Sequence, residues 1–316
     1  MDPFDNAPET ALAWHKAGKG AALATVVETW GSAPRQVGAQ LVVSGEGEME
    51  GSVSGGCVEG AVVLEAMEAL ENGAAKLLEY GVSDDDAFAV GLACGGTIRV
   101  LVEPIGAAMP ADMLDKVVTA RSSRSAVQYH VNTENWARSL TEEVSRQKSA
   151  FEEDGKTFKA VHNPPLRLAI VGAVHIAQAL VPMARVAGFD PVVIDPRGAF
   201  GSEARFPGET ILAEWPDEAL TEYGLDAHTA LVLLTHDPKL DDPALHQALK
   251  SDVFYIGALG SKKTHAKRVA RLEEAGFSSE QIGRVHGPIG LDIGAKSPPE
   301  IAVSILAEMI QSLRRG

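Results

Sequence analysis

Hydrophobic and polar positions in the second half of the chain follow a repeating order of short apolar runs and longer amphipathic segments. The apolar runs cover residues 167–172, 191–195, 229–236 and 253–260, and stretches with helical spacing separate them. Apolar strands that alternate with helices are typical of a parallel sheet covered by helices on both faces. The pattern therefore predicts a doubly wound α/β domain over residues 166–316.

The first hundred residues follow a different pattern. Two β-branched runs bounded by glycine, residues 21–29 and 39–45, predict strands, and the alternating run at 97–104 predicts a third. Apolar residues recur at helical spacing from Val58 to Leu70, so a helix is expected between them. We expect a mixed α/β domain over residues 1–108.

Residues 109–165 are more polar and less periodic. A helix over Met113–Arg121 and a strand over Ala126–Val131 are predicted there, and a connecting segment follows, up to Pro164 and Pro165. We therefore expect three regions in the chain: a cysteine-bearing N-terminal domain, a connecting region at 109–165, and the C-terminal α/β domain.

Composition narrows the class of protein. A length of 316 residues favours about two domains, and a formal charge of −15 disfavours binding to nucleic acid or to an anionic membrane. The first ten residues lack the basic and apolar regions of a signal peptide, and the most apolar stretch, residues 168–184, is too polar for a membrane span. With two cysteines in so long a chain, we expect a cytoplasmic protein with reduced thiols.

A glycine loop follows the first strand of the C-terminal domain and opens its first helix, as in Rossmann-like dinucleotide sites. Gly172 occupies the first glycine position, but Val174 stands at the second, where the backbone approaches a pyrophosphate. Asp195 follows Gly172 by 23 residues, near the spacing of a ribose-binding acid. The context fits a nucleotide, whereas Val174 argues against ordinary NAD-dependent hydride transfer; a Rossmann-like fold without a bound dinucleotide is the alternative.

Further polar residues follow the next two strands. His236 and Asp237 come after one of them, and Ser261, Lys262 and Lys263 open the helix after the other. Free N–H groups and the helix dipole favour an anion at such a place. These residues predict an anion or phosphate site, and the alternative is that the lysines form a solvated surface.

Both cysteines stand beside glycine pairs. Gly55 and Gly56 precede Cys57 at the start of a helix, and the residues that follow Cys94 are Gly95 and Gly96. A thiol in the first turn of a helix has a lowered pKa, and glycines leave room for a ligand. The spacing fits neither a CxxC redox motif nor a zinc site. From spacing alone, two small buried residues in tight turns are the competing interpretation.

Seven motifs are spread over nearly the whole length of the chain: GSAPRQVGAQLVV, GSVSGGCVEGAV, LACGGTIRVLVEP, GAVHIAQAL, LTHDPKLDD, YIGALGSKKTHAKR and GPIGLDIGAKSPPEIAVSILAEMI. Together they make the chain resemble the xanthine dehydrogenase accessory protein family (XdhC/CoxI type). The resemblance implies an N-terminal cysteine-bearing domain and a C-terminal Rossmann domain. It also implies a chaperone that binds the molybdenum cofactor (molybdopterin), supports its sulfuration by a cysteine desulfurase and delivers it to an apo molybdenum hydroxylase. A homodimer is expected.

The resemblance also directs attention to particular residues. We expect Cys57 and Cys94 to face one pocket as soft thiolate ligands of the molybdenum centre, with Arg35 on the cofactor phosphate. Arg99 is a weaker candidate for the phosphate. The family has glycine where this chain has Val174, while His175 is retained.

Two further functions stay open. One is an NAD(P)-dependent oxidoreductase, for which Val174 is unfavourable. The other is a regulator in which His175, Asp195 and Lys262 bind a mononucleotide without chemistry. The preferred interpretation is a maturation chaperone that is not itself an enzyme.

Overall fold

The computed structural model describes residues 6–31, 35–81, 96–143 and 148–315. The chain divides into two compact units, and the division falls between Pro164 and Pro165. We call them the N-terminal and the C-terminal unit and describe each by itself. The domain boundaries expected at residues 108 and 165 stay a prediction.

The N-terminal unit is built on a five-stranded antiparallel sheet in the order β3-β2-β1-β5-β4. Its strands include the three that the sequence predicted. They are β1 (Ala21–Trp30), β2 (Gln40–Ser44), β3 (Met49–Gly51), β4 (Lys76–Tyr80) and β5 (Thr97–Pro104).

Two helices cover this sheet, α1 (Ala7–Lys16) and α2 (Glu59–Asn72). Successive side chains of β1 enter different apolar clusters: Leu23 packs in the cluster that contains α1 residues, and Ala24 in the cluster that contains α2 residues. The central strand is therefore buried on both faces, which explains its continuous apolar run. Helix α2 confirms the prediction from Val58 to Leu70.

A second, four-stranded antiparallel sheet lies in the same unit, in the order β7-β6-β9-β8. The predicted helix and the predicted strand of this region are confirmed, but three further strands lie in the segment that we described only as connecting. The elements are α3 (Ala111–Ser122), β6 (Ala126–Asn132), β7 (Arg138–Glu143), β8 (Ala150–Phe151) and β9 (Thr157–His162). Strand β9 buries alternate residues, Phe158, Ala160 and His162, and a charged segment at residues 152–156 precedes it.

The C-terminal unit contains a six-stranded parallel sheet in the order β12-β11-β10-β13-β14-β15, which confirms the Rossmann-like prediction. The strand order reverses between β10 and β13, and ligands of such sheets bind at the carboxyl ends on either side of that point. The strands are β10 (Leu166–Val171), β11 (Phe189–Ile194), β12 (Ile211–Leu212), β13 (Thr229–Leu233), β14 (Tyr255–Ala258) and β15 (Val285–His286).

Helices cover both faces of this sheet. Helices α4 and α9 contribute to one apolar cluster, and α5, α6 and α7 contribute to the other. The helices are α4 (His175–Val186), α5 (Pro216–Tyr223), α6 (Pro238–Ala248), α7 (Lys262–Glu274), α8 (Ser279–Ile282) and α9 (Pro298–Arg315). Across the described ranges, no helix has both the length and the apolar character needed to cross a membrane.

Candidate functional site

The segment from Ser52 to Val58, which we call the cysteine loop, joins β3 to α2 and carries Cys57. Cys57 is half-buried and packs at the edge of the cluster beneath α2. Gly55 and Gly56 adopt φ angles of 76° and 113°, in the left-handed region that favours glycine. A Cβ atom added at Gly56 would meet no atom within 4 Å, so the loop is open to solvent beside the cysteine.

The carboxylate of Glu59, in the first turn of α2, organises this loop. Glu59 is 7% exposed and points back under the residues that precede it. Its Oε1 accepts hydrogen bonds from Ser52 Oγ (2.8 Å), Val53 N (3.2 Å), Ser54 N (2.8 Å) and Gly55 N (3.0 Å), and its Oε2 accepts from Gly56 N (2.8 Å) and Ser54 Oγ. One side chain therefore fixes the backbone of four consecutive residues, Val53 to Gly56, and also holds the hydroxyl groups of Ser52 and Ser54.

The same hydrogen bonds keep this carboxylate ionised. Burial raises the pKa of Glu59, but the hydrogen bonds from Ser54 and Ser52 outweigh burial and lower the pKa to about 2. Each of these bonds favours the charged form because it donates to an anion. The loop therefore encloses a negative charge at neutral pH.

Ser54 holds the backbone of the cysteine itself. Its Oγ accepts hydrogen bonds from the N–H groups of Cys57 (3.0 Å) and Val58 (2.9 Å). Val58 is the N-cap of α2 and has no side chain that could cap the helix, and its own N–H is satisfied by Ser54, four residues earlier. The main chain of Cys57 is thus held in a defined position at the helix start.

Arg35 lies against the cysteine loop, where its Nε donates to the carbonyl oxygen of Ser52 at 3.2 Å. The structure thus brings Arg35 and the loop of Cys57 together. Arg99, the weaker candidate, pairs instead with Glu28 at 2.8 Å, and its guanidinium lies 5.7 Å from the ring centre of Phe151.

The second cysteine cannot be compared in the same way. Cys94 and Gly95 lie outside the described residues, while Gly96 is buried immediately before β5. The shared pocket of Cys57 and Cys94 therefore stays a prediction. Within the described ranges, no group of three or more His, Cys, Asp or Glu side chains is arranged to hold a metal ion.

The glycine loop of the C-terminal unit needs its glycine at one position only. Gly172 has φ of 108°, and a Cβ atom there would lie 2.5 Å from Thr235 Cγ2. Val174, the N-cap of α4, has φ of −95° and ψ of 176°, an extended conformation that any residue adopts. The backbone therefore accommodates the valine without strain.

Asp195 lies where expected, after β11 and beside the glycine loop, but its carboxylate is already occupied. It accepts from Ala173 N (2.8 Å) and from the backbone N, Nε and Nη2 of Arg197 (3.0, 2.9 and 2.8 Å). A carboxylate offers about four acceptor positions, so these bonds saturate it. Burial raises the pKa of Asp195, yet the bonds from Arg197 outweigh burial and lower it. Contact between Asp195 and a ribose stays a prediction that would require Arg197 to leave.

The remaining predicted residues lie at the carboxyl edge of the same sheet. His175 is the exposed first residue of α4. Asp237 caps α6 by accepting from Lys239 N at 3.0 Å, and Ser261 caps α7 by accepting from Thr264 N at 3.2 Å. Both caps have a structural function that needs no ligand.

The two lysines beside Ser261 are exposed. Lys262 and Lys263 occupy the first two positions of α7, and His236, before Asp237, is also exposed with φ of 51°. Exposed lysines fit both the anion site and the solvated surface, so the anion or phosphate site stays a prediction.

Sequence reasoning missed three features of these sites. Glu59 and Ser54 escaped notice because their spacing is not that of a capping box, in which the acid follows the serine by three residues. The acid in the first turn of the helix after a glycine pair was the available signal. Arg197 was missed as the partner of Asp195.

Comparisons with known proteins agree with the motifs. The model described as the XdhC and CoxI family matches residues 14–81, and the model described as the XdhC Rossmann domain matches residues 168–309. A protein of Escherichia coli (strain K12) named molybdenum cofactor insertion chaperone PaoD is 33% identical, over 92% of this chain and 83% of that protein. One of Bacillus subtilis (strain 168), named as a probable xanthine dehydrogenase subunit, is 30% identical, over 93% of this chain and 94% of the relative.

A solved structure has the same fold throughout. The crystal structure described as a xanthine dehydrogenase from Bacillus halodurans is 26% identical and superposes with a TM-score of 0.78, covering 100% of this chain and 97% of the other. The similarity therefore extends over both units as well as the motifs. With two family models matched in order and relatives covered over most of their length, the chain belongs to the XdhC and CoxI family.

Proposed function

We propose that this protein binds the molybdenum cofactor and supports its sulfuration and insertion into a molybdenum hydroxylase such as xanthine dehydrogenase. The observation that carries the proposal is similarity along nearly the whole chain to a protein named molybdenum cofactor insertion chaperone. The Bacillus subtilis relative, whose name refers to xanthine dehydrogenase, supports the same class of client enzyme.

The cysteine loop is the proposed place of binding. A thiolate of Cys57, joined by Cys94, is a soft ligand that suits molybdenum, and the open space beside Gly56 gives a bulky cofactor access to it. Arg35, at the edge of the loop, supplies a planar cation for the cofactor phosphate. Gly55, Gly95 and Gly96 complete the proposed site.

In this function the protein is a chaperone and catalyses no reaction of its own. A cysteine desulfurase supplies the sulfur while the chaperone holds the cofactor, and the apo molybdenum hydroxylase then receives it. The cytoplasm is the proposed location, because cofactor thiolates and cysteine ligands need a reducing compartment.

A homodimer is part of the proposal, and an exposed face of α9 supports it. Val303 and Ile310 are 47% and 38% exposed, and Ala307 lies between them at coiled-coil spacing. Exposed Glu300 and Arg314 continue the same face at its two ends. In an antiparallel pair, Glu300 would lie opposite Arg314 of the partner subunit, so the face is complementary to itself.

The dimer is tested by measuring the molar mass of the protein by light scattering as it elutes from a size-exclusion column. We expect Ile310→Glu to convert a dimer to a monomer, and Leu64→Glu, which alters a 70% exposed residue of α2, to leave the dimer intact. A dimer that survives Ile310→Glu would place the interface elsewhere.

A nucleotide bound by the C-terminal unit is the second candidate function. It is supported by the helix N-termini at the carboxyl edge, where Gly172, His175, Asp237 and Ser261 lie, and by the exposed cations Lys262 and Lys263. Within this candidate a regulator is favoured over an NAD(P)-dependent oxidoreductase, because Val174 stands at the second glycine position of the dinucleotide loop. A thermal shift with mononucleotides but not with NAD(P) is the expected signature.

The main proposal is tested by the binding of anaerobically released molybdenum cofactor. We expect saturable binding by the wild type that is lost in Cys57→Ala and in Cys94→Ala. Leu64→Ala, on the exposed side of α2, is the matched control and should bind normally. Equal binding by all variants would move the site away from the cysteines, and no binding by any of them would refute the proposed function.

A further inference from the structure

The cysteine loop has the form of an anion-binding nest. Successive backbone N–H groups in a turn with left-handed residues, here Gly55 and Gly56, point to one side and create a concave site of positive potential. Such nests in other proteins hold phosphate or other anions. In this chain the anion in the nest is the carboxylate of Glu59.

The occupancy of the nest is complete. Four backbone N–H groups, from Val53 to Gly56, donate to the carboxylate of Glu59, and the next two, those of Cys57 and Val58, donate to Ser54 Oγ. Every N–H of the loop from Val53 to Val58 therefore has an acceptor inside the loop and α2. A ligand anion has no loop donor left while Glu59 stays in place.

Both the length of the Glu59 side chain and its charge are needed to fill the nest. Its two oxygens divide the donors between them: Oε1 takes the N–H groups up to Gly55, and Oε2 takes Gly56 N and Ser54 Oγ. A glutamine has only one acceptor oxygen, and its NH2 group would face donors of the loop. An aspartate is one methylene shorter, so the same reach is lost.

We propose that Glu59 is the positioning residue of the cofactor site: it occupies the anion nest of the cysteine loop and thereby holds Cys57 in place for its ligand. The inference rests on the proposed function where it names the cofactor as that ligand. A corollary follows for the cofactor phosphate, which must be held outside the nest, on the side of Arg35.

The nest is tested first without the cofactor. In a Cys94→Ala background, Cys57 is the remaining thiol, and its rate of alkylation by iodoacetamide is measured at fixed pH. We expect Glu59→Gln and Glu59→Ala to raise this rate by at least about tenfold, the factor that corresponds to the loss of one of the six charge-assisted hydrogen bonds to Glu59. The control Glu71→Gln, at an exposed position of the same helix, should react like the parent.

Chemical rescue by a small anion shows whether Glu59 acts by filling the nest or only by a general structural role. In Glu59→Ala, formate can enter the emptied nest and accept the released N–H groups. We expect formate to return the alkylation rate towards that of the parent, and chloride at equal ionic strength to have no such effect. Formate that acts no better than chloride would overturn the proposal, as would a Glu59→Gln rate equal to that of Glu71→Gln.

The cofactor enters in a second measurement, with both cysteines present. We expect Glu59→Gln to weaken the binding of released molybdenum cofactor about tenfold, with normal binding by Glu71→Gln. Binding by Glu59→Gln that equals the wild type would overturn the link between the nest and the site. If the wild type itself binds no cofactor, the proposed function fails, while alkylation and rescue still decide whether Glu59 positions Cys57.

A milder variant covers the case in which Glu59→Gln does not fold. Ser52→Ala removes a single donor to Glu59 Oε1 and a single acceptor for Gly55 N. We expect an alkylation rate between those of the parent and of an emptied nest. A rate unchanged from the parent would count against the proposal.

Discussion

The substitution Val174→Gly restores the second glycine of a dinucleotide-binding loop. It therefore tests whether the valine is what keeps this loop from binding a dinucleotide. The structure predicts that the substitution gains nothing. Val174 has an unstrained extended backbone, so glycine relieves no strain, and its side chain packs against the apolar cluster between the sheet and α4. The bond between Ala173 N and Asp195 is unchanged by the substitution.

The expected loss of unfolding free energy in Val174→Gly has two parts. A fully buried valine contributes about 2 kcal/mol, so the half-buried Val174 should contribute about 1 kcal/mol. Glycine adds about 0.5–1 kcal/mol because it gives the unfolded chain more freedom. The sum, about 1.5–2 kcal/mol, corresponds to a melting midpoint lower by roughly 3–8 °C for a unit of this size.

Calorimetry of the wild type, Val174→Ala and Val174→Gly, each with and without NAD, measures both effects. Val174→Ala should lose the packing part alone and melt between the other two. We expect no stabilisation of any variant by NAD, because the acceptors of Asp195 stay saturated. A higher midpoint in Val174→Gly, or a midpoint that rises with NAD in that variant alone, would refute the reasoning.

Three other predictions concern single side chains. Tyr129→Phe should cost about 1–3 kcal/mol in urea unfolding, because the fully buried Glu103 loses the hydrogen bond that Tyr129 donates at 2.9 Å; a change below about 0.5 kcal/mol would contradict this. Burial and the charge of Arg121 lower the pKa of His162 to about 3 from 6.5, so between these values the unfolded chain binds the extra proton. Stability should therefore rise with pH over that range by up to about 1.4 kcal/mol per unit, and a pH series of His162→Gln should show a slope shallower by that amount. Ser261→Ala should cost the C-terminal unit about 1 kcal/mol through loss of the α7 cap, measured by thermal unfolding, and an unchanged midpoint would show that the cap is not needed.

The elements that the sequence predicted well are those in which burial dominates the pattern. Strands β10, β11, β13 and β14 lie inside a sheet covered on both faces, so nearly every residue is apolar and the run is unmistakable. Helix α2 was equally clear, since Gly73 ends it in the left-handed conformation that a C-terminal glycine favours.

The second sheet of the N-terminal unit was missed because its strands bury only alternate residues. In β9, Phe158 is buried while Lys159 is half-exposed, and acidic residues dominate the segment before it. A turn signal was nevertheless present: Asp154 and Gly155 form the tight turn between β8 and β9, where Asp154 accepts hydrogen bonds from the two residues after the glycine. The hairpin was predictable from that dipeptide.

The sequence pointed to Cys57 and Arg35 as residues of the candidate site, but it did not point to Glu59, which organises the cysteine loop. Cys57 stood out by its rarity and its glycine neighbours, whereas a glutamate near a helix start is common and has a routine interpretation as a favourable charge at the helix dipole. Only the folded structure shows that the Glu59 side chain turns back to six donors instead of facing solvent. The order of residues along a chain carries no information on that rotamer.

Because most backbone N–H groups of the cysteine loop are hydrogen-bonded within the loop and the first turn of α2, this segment could serve as a module in protein engineering. The N–H groups from Val53 to Val58 all find acceptors within the eight residues from Ser52 to Glu59, whereas Ser52 is bound from outside by Gln40 and Arg35. On the first turn of another helix, such a segment would need host partners only at its first residue, Ser52. The same hydrogen bonds link these positions in evolution. A change at Ser54, at either glycine or at Glu59 leaves a donor or acceptor of the loop without its partner, so substitutions at these positions should be inherited as a set.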